Sequence, residues 1–351
     1  MRPVLKMASA ALLLCGAGFS GLAIAADNPT VTWNLSTWGP PRAFTAGVEA
    51  LAKHVESESG GKFTIKIHYG EELGKAVDNL DNIKLGSFEI AQICTGYHPG
   101  KNPAITVLDL PALPLADPDV HARVHDVIYK DPIIVKEFQR WNATVFMSVL
   151  QPQSEVMGTG DAPMKMEDFK GMRVRALGGT GDALKNLGAV PTSVPAPEVY
   201  NALELGVFRA AAFPYTYAFA SYKLPEISKW YTTNLAPGAN NCPTVVSLDA
   251  LKALPANYRD MLEKGRPIAY EALKKAQKVI DEKNLADWSK RGLIGIKYPD
   301  DELKKFLDRG AKPVWAAWVK ASAAKGVPAQ ELLDKVLAEA DKAKKELGKE
   351  E

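Results

Sequence analysis

The pattern of hydrophobic and polar positions changes period several times in the first hundred residues. Residues 31–36 are predicted to form a short strand, and residues 63–69 alternate apolar and polar side chains as a half-buried strand does. Between these two predicted strands, apolar residues recur at helical spacing, at Phe44, Val48, Leu51, Ala52 and Val55. A second helix that ends at Gly86 and a strand at 88–94 follow. This order predicts an α/β domain with a largely parallel sheet.

The same order of strands and helices returns in the second half of the chain. Asp117 and Asp131 each precede a proline, which is typical of a helix N-cap. A strand is predicted at 143–150, and the polar, glycine- and proline-broken residues 151–163 indicate a crossover into a second domain. In that domain we predict alternating strands and helices, at 172–176, 181–187, 192–194, 197–205 and 208–213.

A long helical pattern and an amphipathic C-terminus complete the chain. The pattern at 267–291 is about twice the mean helix length, so one such helix can span two domains. A strand is predicted at 294–298. The last helix has an apolar stripe that packs on its own chain or on a partner, leaving monomer and dimer open: Leu332, Leu333, Val336, Leu337 and Ala340.

These patterns divide the chain into four parts. We predict a signal peptide at 1–25, a first domain at 26–150 plus about 242–280, a second domain at 151–241 plus about 281–326, and a C-terminal amphipathic helix at 327–351.

The N-terminus has the parts of a secretory signal peptide. Arg2 and Lys6 precede the apolar residues 8–24, and a small-x-small site predicts cleavage after Ala25. A retained membrane anchor is the alternative, but the stretch is short for a span. Secretion predicts a periplasmic location, where disulfides form. For the two cysteines of the mature chain, two interpretations stay open, a disulfide and buried thiols: Cys94 and Cys242.

The composition is that of a soluble globular protein and indicates no charged macromolecular partner. Of 351 residues, 46% are hydrophobic and 24% charged, and the net charge of +2 gives no sign of nucleic-acid binding. His121 and His125 have a spacing that can bind metal, but no further ligand motif accompanies them, and we expect them on an exposed helix face. Without a catalytic motif, we predict that the chain is not an enzyme and needs neither metal nor cofactor.

A series of short motifs resembles one family of transport proteins. The central one is MEDFKGMRVR at 166–175, followed by LGAVP at 187–191, EVYNAL at 198–203 and a Gly-Val pair at 206–207. Together with motifs of the first half, such as LPALP at 110–114, this series resembles the DctP-like solute-binding proteins of tripartite ATP-independent periplasmic (TRAP) transporters. The resemblance covers about residues 30–325.

The resemblance implies a fold, a ligand and partners. The expected architecture is a two-domain α/β periplasmic binding protein with a central ligand cleft and a long domain-spanning helix. The expected partners are a small carboxylate and the small and large membrane subunits of the transporter. The family pattern places a carboxylate-binding arginine at Arg175, whose planar guanidinium matches a carboxylate fork. The turn at 178–181 begins a predicted helix and adds backbone N–H groups that attract anions.

One departure from the family pattern bears on the ligand. Where most members have V-V-D-G-x-E-N-P, this chain has VFRAAAFP at 207–214, so that Phe213 replaces the usual asparagine and Arg209 the usual aspartate. A minority branch, which includes oxoacid binders, has an aromatic residue at that position. The change favours a bulky, aromatic or oxo monocarboxylate over a C4 dicarboxylate. For Arg209 we favour a surface position over a second anion contact.

Other candidate site residues follow predicted strands, where ligands of α/β sheets bind. They are Trp38, Tyr97, Gln151 and Tyr215, with His98, Gln153 and Tyr217 beside them. The sequence therefore predicts the periplasmic binding subunit of a TRAP transporter. Alternatives with the same cleft are the binding protein of an ATP-driven importer and a sensory receptor, and a third class is an envelope interaction protein without a small ligand.

Overall fold

The computed structural model describes residues 28–98 and 100–349. The predicted signal peptide therefore lies outside the described residues. The strands are β1 Val31–Ser36, β2 Phe63–His68, β3 Ile90–Gln92, β4 Ala143–Ser148, β5 Glu155–Gly158, β6 Arg173–Arg175, β7 Val190–Thr192, β8 Ala210–Phe213, β9 Trp230–Thr232, β10 Pro243–Ser247 and β11 Ile294–Ile296.

Helices cover the faces of these strands. They are α1 Ala46–Glu58, α2 Asn79–Lys84, α3 Pro118–Ile128, α4 Pro132–Gln139, α5 Gly178–Asn186, α6 Val199–Glu204, α7 Tyr215–Ser221, α8 Leu248–Ala253, α9 Ala256–Lys290, α10 Asp300–Lys305, α11 Lys312–Ala323 and α12 Ala329–Leu347. A π-helical turn, Phe306–Ala311, joins α10 to α11.

The strands form two sheets, which define a first and a second α/β domain. The order is β2-β1-β3-β10-β4 in the first sheet and β11-β9-β5-β8-β6-β7 in the second. The prediction of a largely parallel sheet is wrong in detail. The chain leaves the first domain after β4 and returns with β10, which therefore runs antiparallel to both of its neighbours. In the second sheet β5 is likewise antiparallel to β8 and β9.

The aspartate-proline pairs predicted where two helices begin, whereas the start of the long helix was predicted wrongly. The side chain of Asp117 accepts hydrogen bonds from the backbone of Asp119 and Val120, so it caps α3 as expected. The long helix α9, by contrast, does not start at Pro267 but at Ala256, and Pro267 lies inside it. An interior proline removes one backbone hydrogen bond and its ring crowds the carbonyl four residues earlier, at a cost of about 3 kcal/mol. The helix packs on α1 of the first domain and on α7 of the second.

The C-terminal helix packs on its own chain. The predicted stripe is buried at Leu332, Leu333, Val336 and Ala340, and α12 lies along α3. Ion pairs at its two ends add to the contact, with Lys335 2.7 Å from Asp131 and Lys349 2.6 Å from Asp117. None of the helices within the described residues is long and apolar enough to cross a membrane.

Candidate functional site

One cavity is lined by side chains from both domains, near the ends of their strands. From the first domain come Trp38, in the loop after β1, and Tyr97, in a 3₁₀ turn after β3. Arg175 ends β6 and Phe213 ends β8 of the second domain, and Gln151 lies between β4 and β5. The enclosed space is about 30 Å³, which is room for about one water molecule. Five of the six predicted site residues therefore line one cavity.

Arg175 is the buried charge of this cavity. Its side chain is 1% exposed. Nε donates to the carbonyl oxygen of Val194 and Nη1 to that of Ala212, each at 2.9 Å, and Cζ lies 4.4 Å from the centre of the Phe213 ring. The two carbonyls come from the segments that flank β6, so the sheet itself orients the guanidinium. Burial lowers the pKa of Arg175, and the neighbouring Tyr97 acts in the opposite direction.

The guanidinium has no counter-charge in the part of the chain that is described. No Asp or Glu contributes to its electrostatics or forms an ion pair with it. A buried, unpaired charge costs several kcal/mol, in round numbers, unless a partner supplies the opposite charge. The cavity is therefore electrostatically suited to an anion.

Aromatic rings form most of the cavity wall. Trp38 lies 5.0 Å from Phe44 and 5.8 Å from Tyr97, and Phe213 lies 5.5 Å from Tyr222, measured between ring centres. The rings that line the cavity are Trp38, Phe44, Tyr97, Phe213, Tyr217 and Tyr222. Such a wall accommodates a flat apolar body.

The segment that follows β8 brings two of its tyrosines to the cavity and leaves one outside. Pro214, Tyr217, Ala218 and Tyr222 line the cavity. Tyr215, the first residue of α7, has a φ of 45° in the left-handed region and does not line the cavity. Its hydroxyl is instead close enough to the buried Glu155 for that carboxyl group to raise the pKa of Tyr215 further, after burial.

Polar atoms without partners also face this region. The Oε1 atom of Gln151 and the hydroxyl of Tyr222 are buried and have no hydrogen-bond partner among the described residues. Arg42 lines the cavity too, but its Nη1 donates to the carbonyl oxygens of Trp38 and Pro40 at 2.7 and 2.9 Å. Four residues of the lining were not predicted from the sequence: Arg42, Phe44, Tyr222 and Asn240.

A disulfide joins the ends of two strands beside the cavity. Cys94 and Cys242 are bonded, which decides between the two interpretations left open. Next to it, the buried carboxylate of Asp109 accepts hydrogen bonds from the Thr95 hydroxyl and from the backbone N–H of Asn241. Burial raises the pKa of Asp109 to about 7 against these two donors.

Two further groups differ from expectation. His121 and His125 are buried, not exposed, with ring centres 4.1 Å apart, and burial lowers the pKa of His121 to about 4. The turn at 178–181 does not line the cavity, so its backbone is not an anion contact there. Within the described residues, no group of three or more acidic, histidine or cysteine side chains is suited to hold a metal ion.

Comparisons with known proteins agree with this geometry. The model of the bacterial extracellular solute-binding proteins, family 7 (DctP), matches residues 36–321. A solute-binding protein of Albidiferax ferrireducens is 28% identical over 76% of this chain and 79% of its own length. A monocarboxylate 2-oxoacid-binding periplasmic protein of Nostoc is 25% identical over 68% of this chain and 66% of its own.

Solved structures share the fold over almost the whole chain. The structure of a TRAP solute-binding protein from Rhodoferax ferrireducens in complex with copurified benzoate superposes with a TM-score of 0.80 at 23% identity. It covers 91% of this chain and 100% of its own.

Proposed function

Since the chain belongs to family 7 of the bacterial extracellular solute-binding proteins, the DctP family of TRAP transporters, we propose that it captures an aromatic monocarboxylate through Arg175 in the periplasm and presents it to the small and large membrane subunits. The family consists of binding proteins and not of enzymes. An organic acid as ligand agrees with the benzoate held by the structural neighbour.

The observation that carries this proposal is the unpaired guanidinium of Arg175. Two of its five N–H groups bind backbone carbonyls, and the Tyr97 side chain also hydrogen-bonds to the guanidinium. None of the five has an acidic partner within the described residues. A ligand carboxylate would accept from the remaining donors and neutralise the charge. Charge-assisted bonds of this kind are about twice as strong as neutral ones.

The aromatic wall narrows the class of acid. A C4 dicarboxylate would place its second charge among the rings of Phe44, Phe213 and Tyr222, where burial is costly. The cation beside these rings, Arg42, already donates from Nη1 to two backbone carbonyls. A benzene ring gains contact area and edge-to-face packing instead. The unpaired Oε1 of Gln151 is a hydrogen-bond acceptor and would accept a hydrogen bond from a ligand hydroxyl. Benzoate, hydroxybenzoates and hydroxy acids with an aromatic ring are therefore the ligands we expect.

A 2-oxoacid is the second candidate, because the Nostoc relative is named for that ligand. A small aliphatic oxoacid would also pair with Arg175. It would, however, leave much of the aromatic wall without contact. We therefore rank it below aromatic acids.

Capture must include movement of the cavity walls. Ligand pockets usually measure about 300–1,000 Å³, whereas the cavity around Arg175 measures about 30 Å³. The walls come from two domains joined by crossing segments and α9. A hinge motion of one domain relative to the other would open the cavity to the ligand and close over it.

A thermal-shift screen of the mature protein tests the proposal directly. The panel contains benzoate, hydroxybenzoates, mandelate, 2-oxoacids and C4 dicarboxylates. A ligand at about 100 times its Kd adds roughly 2.7 kcal/mol to the free energy of unfolding. We expect the aromatic acids to give the largest increases in Tm. Stronger shifts with C4 dicarboxylates would contradict the aromatic class but keep the transport function.

Arg175→Ala tests the carboxylate pair, and Arg173→Ala is its matched control. Arg173 lies on the same strand but is exposed, and its Nη2 donates to the carbonyl of Gly206. We expect Arg175→Ala to abolish binding in titration calorimetry and Arg173→Ala to bind as the wild type does. Normal binding by Arg175→Ala would show that the clamp is assigned wrongly.

A further inference from the structure

The glycine-rich start of α5 packs against the first domain and not against the cavity. A Cβ atom built on Gly179 would lie 2.3 Å from the carbonyl oxygen of Asp109 and 2.7 Å from Cδ of Pro111. Favourable contacts between non-bonded carbon atoms lie near about 3.5–4.0 Å. The φ angle of Gly179 is not in the left-handed region, so close approach, and not backbone conformation, requires glycine here.

A second glycine on the opposite side belongs to the same contact. A Cβ atom on Gly96, two residues after Cys94, would lie 3.2 Å from Cβ of Leu177. We call the surface formed by Gly96 and residues 109–111 on one side and Leu177 and Gly179 on the other the glycine contact. At Gly179 two of the three nearest atoms are backbone atoms of Asp109 and Leu110, so an added Cβ there would push the two sides apart.

The glycine contact crosses from one domain to the other. Residues 109–111 are fixed to the first domain, because Asp109 accepts a hydrogen bond from the backbone of Asn241, which leads into β10. Leu177 and Gly179 belong to the turn that follows Arg175 and β6 in the second domain. Separating the domains enough to admit a ligand at Arg175 would therefore pull the glycine contact apart.

We infer that the glycine contact forms when the cleft closes and that Gly179 is a positioning residue for ligand capture. This inference rests on the proposed function and names a residue that does not touch the ligand. A side chain at position 179 would hold β6, and with it Arg175, away from the first-domain wall at Trp38 and Tyr97. The closed, binding-competent state would become rarer, and the apparent Kd would rise in inverse proportion to its population.

Gly179→Ala is the test, with benzoate or the best acid of the screen as probe. The overlap lies against a backbone oxygen that cannot rotate away, so we expect a rise in Kd of about tenfold to a hundredfold. The ligand-free Tm should stay close to that of the wild type, because an open cleft does not form the contact. Small-angle scattering should show that ligand contracts the wild type and the variant equally at equal occupancy, but that the variant needs a ligand concentration higher by the same factor as its Kd.

Two further alanine variants test whether a loss of affinity comes from hindered domain closure or from crowding within one domain. An added Cβ would lie 3.2 Å from its nearest neighbour at both Gly96 and Gly181, but the neighbour of Gly181 is the carbonyl of Ala176 in its own turn. We expect Gly96→Ala to weaken binding several times more than Gly181→Ala. Equal effects of these two would overturn the inference, even if Gly179→Ala does not fold.

Other outcomes also decide between the hypotheses. Normal affinity in Gly179→Ala, or a ligand-free Tm that falls as steeply as the affinity, would show a permanent packing contact and overturn the inference while leaving the proposed function intact. A wild type that binds no acid in the screen would contradict the proposed function itself. Binding of ligand by Gly179→Ala without contraction at saturation would also overturn the inference, because the bound state would then not be the closed one.

Discussion

Removing the disulfide should destabilise the protein strongly while changing ligand affinity little. The perturbation is the double substitution Cys94→Ala and Cys242→Ala. The two cysteines are 148 residues apart in sequence. Closing a loop of this length in the unfolded chain corresponds to about 5 kcal/mol in the chain-entropy model, and measured losses for native disulfides are typically about 2–5 kcal/mol.

Neighbouring backbone hydrogen bonds should keep the native geometry when the disulfide is absent. On one side the N–H of Ile93 donates to the carbonyl of Pro243, and on the other the N–H of Thr95 donates to that of Asn241, each at 3.0 Å. The bond therefore acts mainly on the unfolded state. Although Cys94 lines the cavity, we expect Kd to stay within about threefold of the wild type, which is less than about 1 kcal/mol.

Urea unfolding followed by circular dichroism measures this loss. We expect a lower midpoint and a larger m value, because the unfolded chain becomes less compact without the cross-link. Reductant should shift the wild type towards the double variant and leave the double variant unchanged. A loss below about 1 kcal/mol would refute the entropic reasoning. A tenfold rise in Kd would instead show that the disulfide positions the cavity wall.

Three further predictions follow from single residues. The pKa of the buried Asp109 is raised from 3.8 to about 7, so the free energy of unfolding should fall by up to about 4 kcal/mol as pH rises from 4 to 7, and melting curves of Asp109→Asn should lack this part of the slope. Ala236 has a φ of 42°, and Ala236→Gly should raise the free energy of unfolding by about 0.5–1 kcal/mol in urea, since it relieves left-handed strain. Phe213→Asn should weaken aromatic acids by about tenfold in calorimetry and improve C4 dicarboxylates, whereas an unchanged preference would remove Phe213 from the specificity argument.

The βα units were predictable because their signals are local. The alternation at 63–69 became β2, and the aspartate-proline pairs became capped helix starts. Three strands were not predicted from the sequence: β5, β9 and β10. They are three to five residues long and buried at every position, so they show no alternation. Their neighbours in the sheet come from distant parts of the chain, which a local pattern does not indicate.

The site was predictable to the extent that motifs and strand ends define it. Arg175 came from the family motif, and Trp38 and Tyr97 came from their positions after strands. Phe44 lies just before α1 and Tyr222 just after α7. Whether such residues reach the cavity depends on how the two domains pack against each other. Tyr215 was predicted to line the site but does not, because it begins α7 with a left-handed backbone (φ of 45°), a conformation that no pattern in the sequence indicates.

The unpaired charge of Arg175 also indicates what would drive closure. In an open cleft the guanidinium is hydrated, and closing the cleft without a ligand leaves it 1% exposed with no acidic partner in the described chain. That state is penalised by desolvation of the charge. Under the proposed function, a bound carboxylate would neutralise the guanidinium and remove the penalty, while the inferred glycine contact would determine how closely the walls then approach. On the proposed function, Arg175 therefore makes closure depend on the ligand's charge, and the aromatic wall makes it depend on the ligand's shape.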